Sequence, residues 1–285
     1  MRSAIWAAVM VAAMGAQQRE AAPAAQTSGQ HADLPGVRLF YIDTGGGGVP
    51  VVLMHPATGS VRAWEHQLPA FTKAGYRVIA FDRRGWGRTE SQPNSPAGTA
   101  ADDLVALLDH LRIDRIHLVG SAAGGFVSLD VALSFPKRLR SVVVANSIGG
   151  VQDEEFLALG RRIRPPEFLA MPPELREVSP SYRAANPEGT RRWVELEHVS
   201  RPQGSSASAQ PLKNRITFSM LETVAVPTLL LTGDADMYAP PPVLKMFAAR
   251  IKRAESVVVP EAGHSTYWEQ PDVFNRAVLN FIRKH

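Results

Sequence analysis

Short, wholly apolar runs separated by stretches of helical periodicity constrain this chain more than any other feature. Residues 49–54, 76–81, 116–119, 141–145, 227–232 and 256–259 read as strands. Their apolar character on both faces calls for a layer of helices on each side. Residues 101–111 set Leu104, Leu107, Leu108 and Leu111 on one helical face. Asp102 and Asp103 fall near the start, where the helix dipole favours anions. Residues 271–282 open with Pro271, tolerated in a first turn, and turn Val273, Phe274, Val278 and Phe281 inward. The pattern predicts an α/β fold: a mostly parallel, twisted sheet with helices on both faces. Residues 37–43 alternate as a half-exposed strand, and Gly45-Gly46-Gly47-Gly48 reads as a hairpin turn into 49–54. The sheet is therefore expected to begin antiparallel. The glycine run lacks the following helix and the lysine of a phosphate cradle.

One stretch breaks the alternation. Residues 149–222 are rich in Pro, Arg and Glu, with helical pieces and no strand pattern. They read as a helical cap inserted over the sheet's carboxyl edge, dividing a core of residues 31–148 and 223–285. Residues 1–30 read as a signal peptide and flexible leader. Arg2 gives a positive start, an apolar run extends from Ile5 to Ala16, and Ala16, Ala21, Ala22, Ala24 and Ala25 offer small residues for cleavage. The run is short for a bilayer span. The expected location is thus periplasmic or secreted, with no membrane attachment after signal removal. The absence of cysteine fits an oxidising compartment and excludes a thiol nucleophile and zinc-thiolate sites. A net charge of +4 with scattered arginine pairs gives no concentrated footprint for nucleic acid.

The most informative segment is His117-Leu118-Val119-Gly120-Ser121-Ala122-Ala123-Gly124-Gly125. A buried strand runs into a Gly-x-x-x-Gly turn and then into a helix over 126–134. This is the setting of a nucleophile elbow, G-x-S-x-G, where the residues two before and two after the nucleophile must be very small. Gly120 and Gly124 satisfy that demand around Ala122. Moving the frame to Ser121 would put Val119 at a crowded position.

On these residues the chain, from about residue 37 to its C-terminus, resembles an α/β-hydrolase with a cap. In that family the triad follows the chain order nucleophile, acid, histidine. The resemblance puts Ala122 at the nucleophile position. It puts Asp236, in Leu231-Thr232-Gly233-Asp234-Ala235-Asp236, at the acid position, with Asp234 bracing the loop. It puts His264, in Pro260-Glu261-Ala262-Gly263-His264, at the base position. The family's His-Gly oxyanion strand end matches His55-Pro56-Ala57-Thr58-Gly59-Ser60, with proline replacing glycine. The oxyanion donors it implies are the backbone N–H groups of Ala57 and Ala123. Residues 81–89, Phe-Asp-Arg-Arg-Gly-Trp-Gly-Arg-Thr, resemble a further family turn.

Alanine has no lone pair, so residue 122 cannot be acylated. Four readings stand. The parent protein has serine here, and this chain is an inactivated, ligand-trapping form. Alternatively, Asp236 and His264 activate water or a substrate proton directly. Ser121 could substitute, although elbow geometry aims it away from the histidine. Finally, the protein could bind a ligand without catalysis. The intact remainder of the machinery favours the first two, and the sequence leaves both open.

Expected pocket walls are Ser121, Trp86, Tyr238, Tyr267 and Trp193, with Met237, Tyr182, Glu195, Glu197 and His198 as further candidates. Trp193 and Leu196 also fit the packing face of an amphipathic cap helix. Glu195, Glu197 and His198 lack the second histidine of a metal site. Aromatics without a cationic clamp imply a small, moderately apolar ester, lactone or C–C-cleavable ketone. Haloalkane and epoxide chemistry need aspartate at the elbow. No nucleotide or flavin fingerprint is present, so no cofactor and no metal are expected.

Overall fold

The computed structural model describes residues 29–92, 95–201 and 210–285. The predicted export signal and nearly all of the leader lie outside the described residues. Among the described residues nine strands form one sheet: β1 (Gln30–Leu34), β2 (Val37–Asp43), β3 (Pro50–Met54), β4 (Arg77–Phe81), β5 (Glu90–Ser91), β6 (Ile116–Ser121), β7 (Leu139–Ala145), β8 (Thr228–Gly233) and β9 (Ala254–Val259). Their order is β1-β2-β4-β3-β6-β7-β8-β9, with β5 paired to β2. Pairings from β4 through β9 are parallel, while β2 is antiparallel to β1, β4 and β5. The α/β sheet and its antiparallel start match the sequence reading.

The hairpin does not. β4 lies between β2 and β3, so Gly45–Gly48 is a crossing loop. Its path is tight: a Cβ on Gly48 would run into the Gly75 carbonyl oxygen. β1 was unread because Gln30-His31-Ala32-Asp33-Leu34 is mostly polar, as suits an edge strand.

The described residues form twelve α-helices: α1 (Gln67–Lys73), α2 (Ala100–His110), α3 (Ala123–Ser134), α4 (Glu154–Ile163), α5 (Pro166–Ala170), α6 (Pro173–Glu177), α7 (Pro180–Ala185), α8 (Pro187–His198), α9 (Phe218–Leu221), α10 (Pro241–Ala248), α11 (Thr266–Glu269) and α12 (Pro271–Ile282). Strand side chains alternate between two faces. Val52 and Met54 of β3 join a core with Leu104 of α2, Leu129 of α3 and Phe247 of α10. Val51 and Leu53 join the opposite core with Phe71 of α1 and Phe274, Val278 and Phe281 of α12. Both faces are buried, which is why the strands read as continuous apolar runs.

Between β7 and β8 the chain makes α4 to α9 and, among the described residues, no strand. Pro166, Pro173, Pro180 and Pro187 open successive helices. Proline suits the first turn but disfavours helix in the residue before it, so each proline starts one short helix and stops its predecessor. Among the described residues no helix is long and apolar enough to cross a membrane.

Candidate active site

β6 runs directly into α3 through Ala122, whose φ of 50° and ψ of −113° are unusual for a residue with a Cβ. Holding such a residue costs on the order of 1–3 kcal/mol. The surroundings enforce it. The Ala122 N–H donates to the Ala145 carbonyl at 2.9 Å, and its own carbonyl accepts from Gly125 N at 2.9 Å and Ser147 Oγ at 2.7 Å. A Cβ on Gly120 would collide with the Gly124 carbonyl, and one on Gly124 with the Met54 carbonyl. The frame centred on Ala122 is therefore the one this turn can accommodate. Ser121 is fully buried, and its Oγ has no hydrogen-bond partner among the described residues.

Two further loops meet this turn. His264 Nδ1 lies 2.9 Å from both carboxylate oxygens of Asp236. Asp236 Oδ1 also accepts from Tyr238 N at 2.8 Å and Ala239 N at 2.9 Å, while Oδ2 accepts from Asn146 Nδ2 at 3.0 Å. Burial raises the Asp236 carboxyl, but the His264 charge and hydrogen bond, with the Ala239 and Asn146 donors, outweigh it and leave its pKa at about 2. Burial likewise opposes the His264 imidazolium, yet Asp236, then Glu177, and the Asp236 hydrogen bond raise its pKa above the ordinary 6.5. With Nδ1–H donated to Asp236, Nε2 is left with a free lone pair.

Asn146, unread in the sequence, joins the loops. It follows β7 at a φ of 50°, and its Nδ2 donates both to Asp236 and, at 3.0 Å, to the Gly263 carbonyl. Its Oδ1 accepts from Thr266 Oγ1. An asparagine after an apolar strand tolerates this left-handed conformation, the one local signal it offered. Glu269 clamps the other side of the histidine turn, accepting from the N–H groups of Gly263, Ser265 and Ser179.

Pro56 leaves the β3 loop well held. The Arg83 N–H donates to His55 Nε2 at 3.1 Å, so Nδ1 carries the hydrogen and donates to the Pro56 carbonyl at 2.7 Å. Burial, then the Arg83 charge, lowers the His55 pKa well below the ordinary range and keeps the ring neutral. Trp86 Nε1 fixes the Ala57 carbonyl at 2.7 Å. Among the described residues the N–H groups of Ala57 and Ala123 meet no side-chain or loop acceptor. Both residues line a cavity of about 540 Å³ together with Ala122, Asn146, Tyr238 and His264. The arrangement offers a base, its orienting carboxylate and two amide donors around one space.

A model of the α/β hydrolase family matches residues 51–277. The chain belongs to the α/β hydrolase family. It is 28% identical over 278 residues to a 2-hydroxy-6-oxononadienedioate/2-hydroxy-6-oxononatrienedioate hydrolase of Burkholderia vietnamiensis, covering 87% of this chain and 92% of that one. It is 30% identical over 244 residues to a putative carbamate hydrolase, RutD, of a Caulobacter species, covering 81% and 90%. The structure of a thermophilic esterase from Thermogutta terrifontis, malate-bound, superposes with a TM-score of 0.75 at 28% identity, covering 90% and 98%.

In this hydrolase fold the expected pocket walls are partly corrected. Tyr238 does line the cavity, its ring centroid 4.4 Å from that of His264. Trp86, Tyr267, Trp193 and Ser121 do not. Tyr267 is packed against Trp64 in the core, and Trp193 is buried with Nε1 donating to Ser265 Oγ at 3.2 Å. Trp86 is buried, with the guanidinium groups of Arg83 and Arg201 against its ring. Large aromatics contribute the most burial, and here the core took them. Met237 is exposed, Tyr182, Glu195 and His198 stay off the cavity, and Glu197 lies on it. The absence of a cationic clamp is also corrected: Arg164, Arg176 and Arg201 all face the cavity, with Glu177 and Glu197. Among the described residues no three His, Asp or Glu side chains gather as a metal site.

Proposed function

We propose that this chain hydrolyses a small ester, lactone or C–C-cleavable ketone through His264 and Asp236, without covalent attachment to residue 122. The observation that carries the reading is the buried His264–Asp236 pair, hydrogen-bonded through Nδ1, with His264 lining the same cavity as Ala122, Ala57 and Ala123. A histidine held in one tautomer with its Nε2 free is organised to take a proton. The methyl group of Ala122 leaves room where a serine oxygen would stand, and water occupying that room is the nucleophile. His264 Nε2 takes the water proton as the oxygen bonds to the substrate carbonyl carbon. The resulting oxyanion is held by the N–H groups of Ala57 and Ala123. Asp236 stabilises the imidazolium meanwhile.

The cavity supports a substrate with an anionic group. Arg164 donates to the Tyr238 carbonyl at 2.8 Å and Arg176 to the Tyr238 hydroxyl at 2.6 Å, and neither pairs with a carboxylate among the described residues. The Burkholderia relative is named for a dioate, and the Thermogutta esterase holds malate. Export to the periplasm or beyond belongs to the same proposal. Sequencing the N-terminus of protein recovered from cell fractions tests it.

The test assays esters, lactones and cleavable ketones, with and without a carboxylate, on this chain and on Ala122→Ser. The reading expects turnover by the chain as it stands, with no acyl adduct by intact-mass measurement. Turnover confined to Ala122→Ser would make this a silenced serine hydrolase. Saturable binding without turnover by either form would make it a binding protein.

A further inference from the structure

Glu177 is the last residue of α6 and lies buried in the cavity wall, yet the three loops described above make no use of it. Among the described residues its carboxylate accepts no hydrogen bond and has no ion-pair partner. Its neighbour Arg176 is committed elsewhere, to the Tyr238 hydroxyl and, at 3.0 Å, to the Met171 carbonyl. The contrast with Glu269 is direct. That carboxylate, also buried, is satisfied by three backbone N–H groups and has an evident structural task. A buried carboxyl left without donors is poorly suited to stabilising a fold. It is well suited to meeting a substrate.

We propose that Glu177 is a second acid–base group of this cavity, sharing a proton with His264 and delivering it to the leaving atom of the substrate. The inference rests on the reading that His264 activates water. In a serine hydrolase the histidine protonates the leaving group within the first half of the reaction. With water attacking directly, a separate acid divides the work. His264 Nε2 takes a proton from water, and the water oxygen bonds to the carbonyl carbon. The bond from that carbon to the leaving oxygen then breaks, and the electron pair takes the Glu177 proton. The products are a carboxylic acid and an alcohol. The proton on His264 passes back to the Glu177 carboxylate, which restores both groups.

The electrostatics around Glu177 fit this role. It faces His264 and Asp236 from the loops after β9 and β8, Glu197 from α8, and Arg176 from its own helix. Burial, with Asp236 and Glu197, raises its pKa against the pull of His264 and Arg176. Glu177 in turn raises that of His264. Each group favours a proton on one of the two, and the form in which they hold one proton between them is the active one.

The experiment compares this chain with Glu177→Gln on two probes, para-nitrophenyl butyrate and ethyl butyrate. The nitrophenolate leaves without a proton, whereas the ethoxide needs one. Glu177→Gln is expected to cut ethyl butyrate hydrolysis by about 100-fold or more and to spare the nitrophenyl ester. It should also remove the alkaline limb of the pH–rate profile. Equal losses on both esters, with an unchanged profile, overturn the proposal. A chain inactive on both neutral esters acts on another substrate class, and the role of Glu177 is then tested without turnover. Titration of His264 by NMR then decides: a midpoint lowered in Glu177→Gln supports the shared proton, and an identical midpoint refutes it.

Discussion

Asp236→Asn should alter stability with a distinctive dependence on pH. In the native chain the folded pKa of Asp236 is about 2 against an ordinary 3.8. At about 1.4 kcal/mol per unit, that depression corresponds to about 2 kcal/mol of folded stability. A depressed carboxyl contributes fully above its unfolded pKa and loses the contribution as pH falls through the folded one. His264 has the opposite sign. Its folded pKa is raised, so its contribution is full below 6.5 and lost as pH rises through the folded value. In Asp236→Asn both effects are removed, and burial then disfavours the His264 imidazolium. The stability gap between native chain and variant should widen as pH falls through the His264 titration. It should go on widening in mildly acid solution, where the variant's buried imidazole resists protonation, then shrink by about 2 kcal/mol as pH falls from 3.8 towards 2. One electrostatic interaction underlies both limbs, so their energies do not add. Urea unfolding across this pH range, with a constant slope on denaturant, measures the gap. A gap that stays flat through both ranges would refute the reasoning.

Asn146→Ala removes the tie between the acid and histidine loops and leaves the Gly263 carbonyl unpaired, which should cost about 1–3 kcal/mol in urea unfolding. Gly124→Ala pushes a methyl group into the Met54 carbonyl and should destabilise by about 1–3 kcal/mol or abolish soluble expression, whereas the same change at the open Gly46 should not collide with anything. Arg176→Met should raise KM for a carboxylate-bearing substrate far more than for its neutral ester, with kcat less affected; equal effects on both would remove Arg176 from recognition.

The sheet and the three loops were legible because local rules fix them. Gly120 and Gly124 can be read as obligatory from the turn alone, and Asp236 and His264 sit at strand ends in a fixed chain order. The cavity wall was not legible. Its charged part comes from α6, α8 and the residues just after α4 and α8, whose mutual placement depends on tertiary packing, so nothing in the local sequence around Arg164, Arg176 and Glu177 points to a cavity. The same limitation misdirected Trp86, Trp193 and Tyr267, whose size suits a pocket and a core equally. Asn146 escaped notice because its task is to bridge Asp236 to Gly263, residues far away in the chain.

The central claim is that the imidazole of residue 264 performs the chemistry unaided by a side-chain nucleophile. The direct test is kcat/KM for this chain and for His264→Ala on one substrate it turns over. A fall of about 100-fold or more, with substrate binding retained, is the predicted result. Undiminished turnover after the imidazole is removed would contradict the account.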